Sequence, residues 1–481
     1  MNYRIVTSIV GRVLAIEAVL LLLPMTAAAV YGESVMPFVW SIAITAAAAA
    51  LLCTFRPKTG KFYAREGFVS VALSWITISI FGTLPFLLSG EIPDFIDALF
   101  EIISGFTTTG SSIVPDVEKL SRGILFWRSF SHWIGGMGVL VFMMAVLPMN
   151  EEYSMHLLRA EVPGPVKGKL VPKMRGTARI LYLIYIGLTV LLIFLLICGG
   201  MPVFDSIVHA FGTAGTGGFS IKTTSIGWYH SAYIDIVVSV FMVLFGINFN
   251  LYYMMLIRRS LKAFFSEELW FYLGIVAFAT VTIGLNISSQ YPSFSQSLRY
   301  SFFQVSSIIT TTGYATADFN RWPEYSRTVL VALMFIGACA GSTGGGIKVS
   351  RFVLAIKSAS CEILHQMFPR SVSRVTLDGE RVDERTMHAT VVFFILYILI
   401  IFIACILLSL EGLDFETTFT SVVTCLSNVG PGLSLVGPTG NFCIWSGGSK
   451  LVLCLCMLLG RLEIYPVIML FSPGIWKKGG R

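Results

Sequence analysis

Four short segments of small and hydroxyl-bearing residues each carry a glycine that could arrange backbone carbonyls around an ion. The segments read FTTTGSS, GTGGFS, TTTGYAT and SNVGPGLS, and their equivalent glycines, spaced by 108, 95 and 117 residues, are Gly110, Gly218, Gly313 and Gly430. Glycine reaches positive φ at no steric cost, so it can turn successive carbonyls toward one axis. Such carbonyls replace the water that an alkali cation loses. Four copies around one axis therefore predict a cation filter.

Three residues from each segment form the predicted ion-binding set: Thr108, Thr109, Gly110, Thr216, Gly217, Gly218, Thr311, Thr312, Gly313, Asn428, Val429 and Gly430. The hydroxyls of 107–109 and 310–312 could add ligands or bond to nearby backbone. Oxygen ligands without carboxylates favour a monovalent cation over calcium or magnesium. Glycines that only permit close helix packing are the alternative, which four equivalent copies disfavour.

The composition predicts a membrane protein. The 481 residues are 55% hydrophobic and 13% charged, with a mean hydropathy of +0.78, whereas soluble domains carry about 25% charged residues. The nine cysteines lie mostly in apolar stretches without paired spacing, so neither a disulfide framework nor a zinc site is predicted. The net charge of +7 comes from basic residues in alternate loops, which indicates membrane orientation and not nucleic-acid binding.

The elements that position the four segments are apolar runs of two lengths. Ten runs predict spanning helices, at 5–30, 36–55, 68–89, 123–148, 178–199, 232–257, 270–288, 326–357, 388–410 and 449–471. Four shorter runs lead into the glycines, at 95–106, 203–214, 298–309 and 416–427, and their length is typical of re-entrant segments. The predicted fold is an all-α integral membrane protein with four pseudo-fourfold helix–pore-loop–helix repeats around one ion pore.

Two additional helices precede the repeats. The predicted divisions are residues 1–60 for these helices, then repeats at 61–155, 156–262, 263–360 and 361–481. The N-terminus also resembles a cleavable signal peptide. A retained helix is favoured because Glu17 interrupts the apolar core and a second spanning run begins at Met36.

Lysine and arginine are concentrated in every second loop. The basic loops lie within 56–65, 159–179, 258–262, 348–385 and 477–481. Basic loops face the cytoplasm, so both termini are predicted to be cytoplasmic, in the cell inner (plasma) membrane, and the four glycine segments to enter from outside. The basic loops could dock a cytosolic partner, and attraction to anionic lipid explains them equally well.

A glycine-rich stretch interrupts the eighth apolar run. Residues 337–348, which we call the intramembrane loop, read GACAGSTGGGIK, and each glycine weakens a helix by about 1 kcal/mol relative to alanine. We predict a flexible gate beneath the filter, formed by Gly341, Ser342, Thr343, Gly344, Gly345, Gly346 and Lys348. A phosphate-binding loop is disfavoured because Ile347 precedes the lysine, Val349 replaces the required Ser or Thr, and no strand precedes it.

Arg461 lies within the last predicted spanning helix, where a charge is costly and usually functional. A pair with Glu463 is disfavoured because residues two apart on a helix do not face each other. We predict that Arg461 bonds the intramembrane loop and raises the barrier to passing ions.

Four other polar residues lie near the predicted filter. His132 and His209 have no second ligand nearby, so both are predicted to be packed, hydrogen-bonded side chains. Asp97 and Asp205 each precede a filter glycine by thirteen residues. There a carboxylate could stabilise the N-terminus of a half-helix or attract cations to the vestibule, and the first role is favoured.

Together with the four segments, three motifs carry a family resemblance. SHWIGGMGVLVF begins at Ser131, GACAGSTGGGIKVSR at Gly337 and GRLEIYP at Gly460. Over essentially its whole length the chain resembles the TrkH-type potassium-translocating subunit of the Trk/Ktr/HKT superfamily. The resemblance implies potassium as the substrate, bound at Thr109, Gly110, Gly217, Gly218, Thr312, Gly313, Val429 and Gly430. Glycine at position 110, where some plant relatives with sodium preference carry serine, favours potassium. The fourth segment departs from the TTTG pattern, which weakens exact fourfold symmetry of the ligands.

The resemblance also implies partners. Members of this type form homodimers and dock a cytosolic, nucleotide-binding Trk-type regulatory subunit. The predicted function is potassium uptake through a gated pore; the alternative is a secondary transporter that couples potassium to protons or sodium. No carboxylate suited to proton coupling is evident, which favours the pore. No nucleophile–base or metal constellation predicts an enzyme, and no covalently bound cofactor is expected.

Overall fold

Four half-helices of 12 to 16 residues organise the fold. The computed structural model describes residues 1–55, 64–138, 174–257, 259–260, 264–370 and 374–476. Each half-helix is too short to cross a bilayer. Each stands between an outer helix that precedes it in the chain and an inner helix that follows it, and we call this trio a unit.

The four units repeat the same order of outer helix, half-helix and inner helix. In unit one these are Ala64–Gly82 continued by Leu84–Ser89, Phe95–Phe106 and Arg122–Gly136; in unit two, Met174–Cys198, Val203–Gly215 and Ala232–Phe245; in unit three, Glu267–Asn286, Phe294–Ile309 and Glu324–Ile336; in unit four, Glu384–Ser409, Phe415–Ser427 and Gly447–Arg461. Tyr3–Leu20, Leu22–Val30 and Met36–Cys53 precede unit one and form the two predicted leading spans.

Further elements follow the inner helices of the units. The helices Phe249–Leu256, Val349–Met367, Tyr465–Leu470 and Pro473–Trp476 follow inner helices, and a two-stranded antiparallel hairpin pairs Thr376–Leu377 with Glu380–Arg381. Single 3-10 turns cover Val117–Lys119, Ser225–Tyr229, Ser288–Gln290, Phe319–Arg321, Ser434–Val436 and Phe442–Ile444.

Six helices in the described ranges are long and apolar enough to cross a membrane: Tyr3–Val30, Met36–Cys53, Arg65–Ser89, Ala178–Cys198, Glu267–Asn286 and Glu384–Ser409. The chain is an all-α multi-pass membrane protein, as predicted. Much of the predicted basic surface, including 56–63 and 159–173, lies outside the described residues.

The prediction of ten continuous spanning helices is wrong for the inner helices. In unit two the chain bends by 89° between Ala232–Phe245 and Phe249–Leu256; in unit three the helix stops at Ile336, and in unit four it stops at Arg461. In unit one it ends at Gly136, two residues before the described part stops. Glycine weakens each helix at these places, and the freed backbone groups find other partners in the protein.

Side-chain caps fix where three of the four half-helices begin, and Pro202 precedes the half-helix of unit two without one. Asp94 accepts hydrogen bonds from the backbone N–H groups of Ile96 and Asp97, and Asp414 accepts one from that of Thr417. Ser293 caps unit three in the same way. Such caps satisfy N–H groups that have no partner within the helix. Asp97 and Asp205 lie in the first turns of their half-helices, which confirms the predicted placement.

The inner helix of one unit contacts the half-helix of the next through its fourth residue. Three of these seams are ion pairs: Asp235 with Arg299, Arg327 with Glu416, and Lys450 with Asp97. At the seam between units one and two the fourth residue is Leu125, which packs with Phe204 and Val208. Because unit four contacts unit one, the four units close into a ring.

Candidate functional site

The four glycine segments meet around one axis. In each segment, a Cβ atom added to the glycine would touch a carbonyl oxygen of the next segment. That carbonyl belongs to the residue just before the next segment's glycine. The pairs, in cyclic order, are Gly110 on Gly217, Gly218 on Thr312, Gly313 on Val429, and Gly430 on Thr109. All four glycines also line one polar cavity of about 120 Å³. The sequence-predicted residues are therefore brought together as a closed ring.

The same backbone conformation recurs in all four segments. The residue two before each glycine is left-handed, with φ between 53° and 57°, and the glycine itself has φ between 75° and 103°. The N–H group of the residue before each glycine donates to the carbonyl five residues earlier, at 2.8 to 2.9 Å. This is the Schellman end of a helix. Three of the left-handed residues are threonines. Each carries backbone strain of order 1–3 kcal/mol, which the packing of the surrounding ring must offset.

The threonine hydroxyls of units one and three have matching local partners. Thr107 donates to the Ile103 carbonyl at 2.6 Å and lies 2.7 Å from the Thr109 hydroxyl. Thr310 repeats both contacts, with Ser306 and Thr312, at the same distances. The sequence left these hydroxyls two roles, as ion ligands or as donors to nearby backbone. Those of Thr107 and Thr310 donate to backbone. Thr216 in unit two likewise donates to its neighbouring carbonyl, at 2.6 Å.

The fourth segment differs in its side chain and not in its backbone. Asn428 has the same left-handed φ as its counterparts. Its amide N–H₂ donates to the Thr109 hydroxyl at 2.9 Å and to the Met457 carbonyl at 3.0 Å. The departure from TTTG therefore leaves the carbonyl arrangement intact and links segment four to segment one.

The intramembrane loop lies directly against units three and four of the ring. The Gly345 N–H donates to the Thr311 hydroxyl at 2.6 Å, and the Gly346 N–H donates to the Ser427 carbonyl at 2.8 Å. Lys348 reaches back within the loop to the Gly344 carbonyl. The predicted loop residues thus contact the ring itself.

The other side of the loop contacts the break in unit two. The Gly341 carbonyl accepts from the Phe249 N–H at 3.0 Å, and the Cys339 N–H donates to the Gly246 carbonyl at 3.1 Å. Ser342 bonds within the loop, to the Cys339 carbonyl at 2.6 Å. The loop therefore fills the space that the bent inner helix leaves.

Arg461 joins the loop to unit one. Its guanidinium donates to the Thr343 carbonyl at 3.0 Å, to the Gly136 carbonyl at 2.7 Å and to the Gly135 carbonyl. The predicted bond to the loop is confirmed. Arg461 is the last residue of its helix, not a mid-helix residue as predicted, and Glu463 pairs with Arg351.

A family model described as TrkH, cation transport protein, matches residues 34–478. The chain belongs to the TrkH family. It is therefore a member of a membrane transport family and not an enzyme.

Relatives in the family match over their full length. The chain is 36% identical to the Trk system potassium uptake protein TrkH of Salmonella typhimurium, covering 99% of this chain and 100% of the relative. It is 35% identical to TrkG of Escherichia coli, covering 99% of each. The crystal structure of the potassium transporter TrkH from Vibrio parahaemolyticus matches with a TM-score of 0.90 at 30% identity, over 99% of this chain and 100% of that one.

Two buried histidines support the ring in this TrkH-family chain. His132 bonds the Gly105 carbonyl at 2.7 Å and accepts from the Phe219 N–H at 3.2 Å. His209 bonds the Asp205 carbonyl at 2.8 Å and the Ser220 hydroxyl at 3.0 Å. The prediction of packed, hydrogen-bonded histidines is confirmed. Across the described part of the chain, no group of three His, Cys, Asp or Glu side chains could hold a metal ion.

A buried ion pair behind the ring was missed by the sequence analysis. Glu101 and Arg128 are 0% and 1% exposed, and an Arg128 nitrogen lies 2.6 Å from the carboxylate. Glu101 also accepts from the Ile113 N–H at 2.9 Å and from the Ser112 hydroxyl at 3.0 Å. The pair therefore holds in place the segment of chain that follows Gly110. A charged residue inside each of two apolar helices was the sequence signal that could have revealed this pair.

Replacing Arg128 with alanine is expected to destabilise the protein strongly, because Glu101 would remain buried without its counter-charge. Breaking a buried pair this way costs about 3–5 kcal/mol. Thermal unfolding of the detergent-purified protein measures the effect. Lys119→Ala, which breaks an exposed pair with Asp116, serves as the control and is expected to leave the midpoint nearly unchanged. Equal midpoints for the two variants would contradict this role.

Proposed function

We propose that the chain takes up potassium through a selective filter formed by the ring. Its ligands are the carbonyls of the last two residues in each triplet, including Thr109, Gly217, Thr312 and Val429. The observation that carries the proposal is the cyclic contact of each glycine with the carbonyl before the next glycine. Carbonyl oxygens of this kind replace the hydration shell of a potassium ion. The printed names of the relatives, potassium uptake proteins and a potassium transporter, support potassium as the substrate.

The intramembrane loop is the gate in this proposal. Its backbone bonds to Thr311 and Ser427, directly below the ring, so an ion leaving the filter meets it first. Arg461 adds a positive charge at the same level and holds the loop by its Thr343 carbonyl. Opening requires that these hydrogen bonds exchange for others.

The proposal includes an orientation and an assembly. The filter mouth faces outward, both termini are cytoplasmic, the membrane is the cell inner membrane, and each sequence-predicted repeat supplies one quarter of the ring. We propose a homodimer and a cytosolic, nucleotide-binding Trk-type regulatory subunit, which controls the loop. The relatives' naming as parts of a Trk system supports such a context.

Coupled transport of potassium with protons or sodium is the second candidate. One observation favours it: Glu17, in the first leading helix, is 4% exposed, and its carboxylate oxygens have no hydrogen-bond partner among the described residues. Buried ionisable groups in membranes often carry protons. Reversal potentials in lipid bilayers at varied pH and sodium separate the two candidates, because a pore follows the potassium gradient alone.

Potassium uptake is expected in a host that lacks its own uptake systems. Expressed with a Trk-type regulatory subunit, the chain should restore growth on low potassium, because the ring lets dehydrated ions cross the membrane. Growth and the initial rate of potassium uptake are the measurements, with the empty vector as control. Absence of rescue by protein that is present in the membrane together with its partner would overturn the proposal.

A further inference from the structure

A single carboxylate oxygen ties together the chain on the two sides of the glycine-rich part of the intramembrane loop. Glu268 lies in the first turn of the outer helix Glu267–Asn286 and is 8% exposed. Its Oε1 atom accepts from the Ala340 N–H at 2.7 Å and from the Ser350 N–H at 3.2 Å. Ala340 precedes the glycine-rich part of the loop, and Ser350 lies in the first turn of the helix that follows it.

The positions of the two donors explain why a carboxylate suits this site. Ser350 is the second residue of the helix Val349–Met367, whose first N–H groups lack partners within the helix and attract negative charge. Ala340 adjoins Gly341, which is left-handed and has little conformational preference of its own. Hydrogen bonds from outside the loop must therefore hold this backbone in one conformation.

Burial makes the interaction depend on the position of the loop. A buried carboxylate is costly unless hydrogen bonds or counter-charges compensate it. If the loop moved away together with the start of the following helix, Glu268 would lose both N–H donors at once. The free energy of the buried carboxylate thus favours the loop position seen beneath the ring.

The start of the outer helix is itself anchored. Glu267 pairs with Lys357, on the helix that follows the loop, and its N–H donates to the Asp378 carboxylate at 2.7 Å. Lys357 also donates to the Thr376 carbonyl at 2.9 Å. These contacts hold Glu268 in register with the chain on the far side of the loop.

We propose that Glu268 is a positioning residue that latches the intramembrane loop across the ion path. The latch rests on the proposed gate function of the loop. Arg461 holds the middle of the loop through Thr343, whereas Glu268 holds the chain on either side of its glycine-rich part. Removing either one frees a different part of the same element.

The test is potassium flux from liposomes containing the full-length protein without its regulatory subunit. Glu268→Ala removes both hydrogen bonds to a charged acceptor and is expected to raise this flux at least about fivefold. Glu268→Gln keeps an acceptor oxygen for the two N–H groups, so its flux should stay within about twofold of the parent protein. Glu33→Ala, which removes a carboxylate that accepts from the N–H groups of Arg122 and Gly123 at the start of the unit-one inner helix, is the matched control and is expected to leave the flux unchanged. Thermal unfolding of each variant reports folding separately.

Arg461→Ala distinguishes a failure of the Glu268 latch from a failure of the gate. If Arg461→Ala raises the flux and folded Glu268→Ala does not, the latch is wrong and the gate stands. If neither raises it, the gate itself fails and the latch with it. Equal increases for Glu268→Ala and Glu268→Gln would also overturn the latch, because the alanine effect would then not come from the lost acceptor.

Discussion

Replacing Gly110 with serine is expected to reduce potassium uptake at least about tenfold, because in this chain the residue has a left-handed backbone and a carbonyl oxygen occupies the space of a side chain. Gly110 has φ +83°, and an added Cβ would collide with the Gly217 carbonyl oxygen. A left-handed conformation alone costs a non-glycine residue about 1–2 kcal/mol. The collision further moves a carbonyl that we propose as a potassium ligand, so the loss combines a strained segment with a displaced ligand.

The initial rate of uptake by potassium-depleted cells measures this effect, normalised to the amount of protein in the membrane. Gly187→Ser is the matched control. Gly187 lies in the outer helix Met174–Cys198, and a Cβ there would meet no atom within 4 Å. Full uptake by the Gly110 variant would show that the ring tolerates a side chain at this point and would contradict the proposed filter.

Replacing Arg461 with alanine is expected to increase potassium flux about tenfold or more in liposomes without a regulatory subunit. The change removes hydrogen bonds to the carbonyls of Thr343, Gly135 and Gly136, and bonds from a charged donor contribute about 1.5–3 kcal/mol each. It also removes a positive charge from the proposed path, where repulsion of a cation is stronger than in bulk water. Both effects act in the same direction.

Arg461→Lys divides the two contributions. Lysine keeps the charge but cannot reproduce the planar fork that reaches two sides of the site. An intermediate flux is therefore expected for lysine if both effects operate. Unchanged or reduced flux in well-expressed Arg461→Ala protein would remove Arg461 from the gate.

The half-helices could be predicted closely from sequence because their signals are local. The predicted segment 95–106 coincides with Phe95–Phe106, since an aspartate cap marks its start and a threonine–glycine run its end. The inner helices could not be predicted in the same way. Apolar composition continues through Gly246 and Asn248, yet the chain bends there because its backbone bonds to the intramembrane loop. That partner lies far away in the sequence.

Within the candidate site, too, only the features with a local signal in the sequence could be predicted. The glycines and the intramembrane loop could be identified because unusual residue types occur together in the chain. Glu268 and the pair of Arg351 with Glu463 could not, because these charges lie at the edges of apolar runs and their partners lie far away in the sequence. The sequence also did not reveal that the fourth segment has the same backbone conformation as the other three. Asparagine and threonine adopt one left-handed φ, although their letters suggest a difference.

The seams between units show what a ring made from one polypeptide permits. Three seams use ion pairs of differing polarity and the fourth uses Leu125 against apolar neighbours. In a channel assembled from four identical subunits, any substitution would appear at every corner simultaneously. Here a single codon change alters one corner, so natural variation can adjust the four sides of the conduction pathway independently.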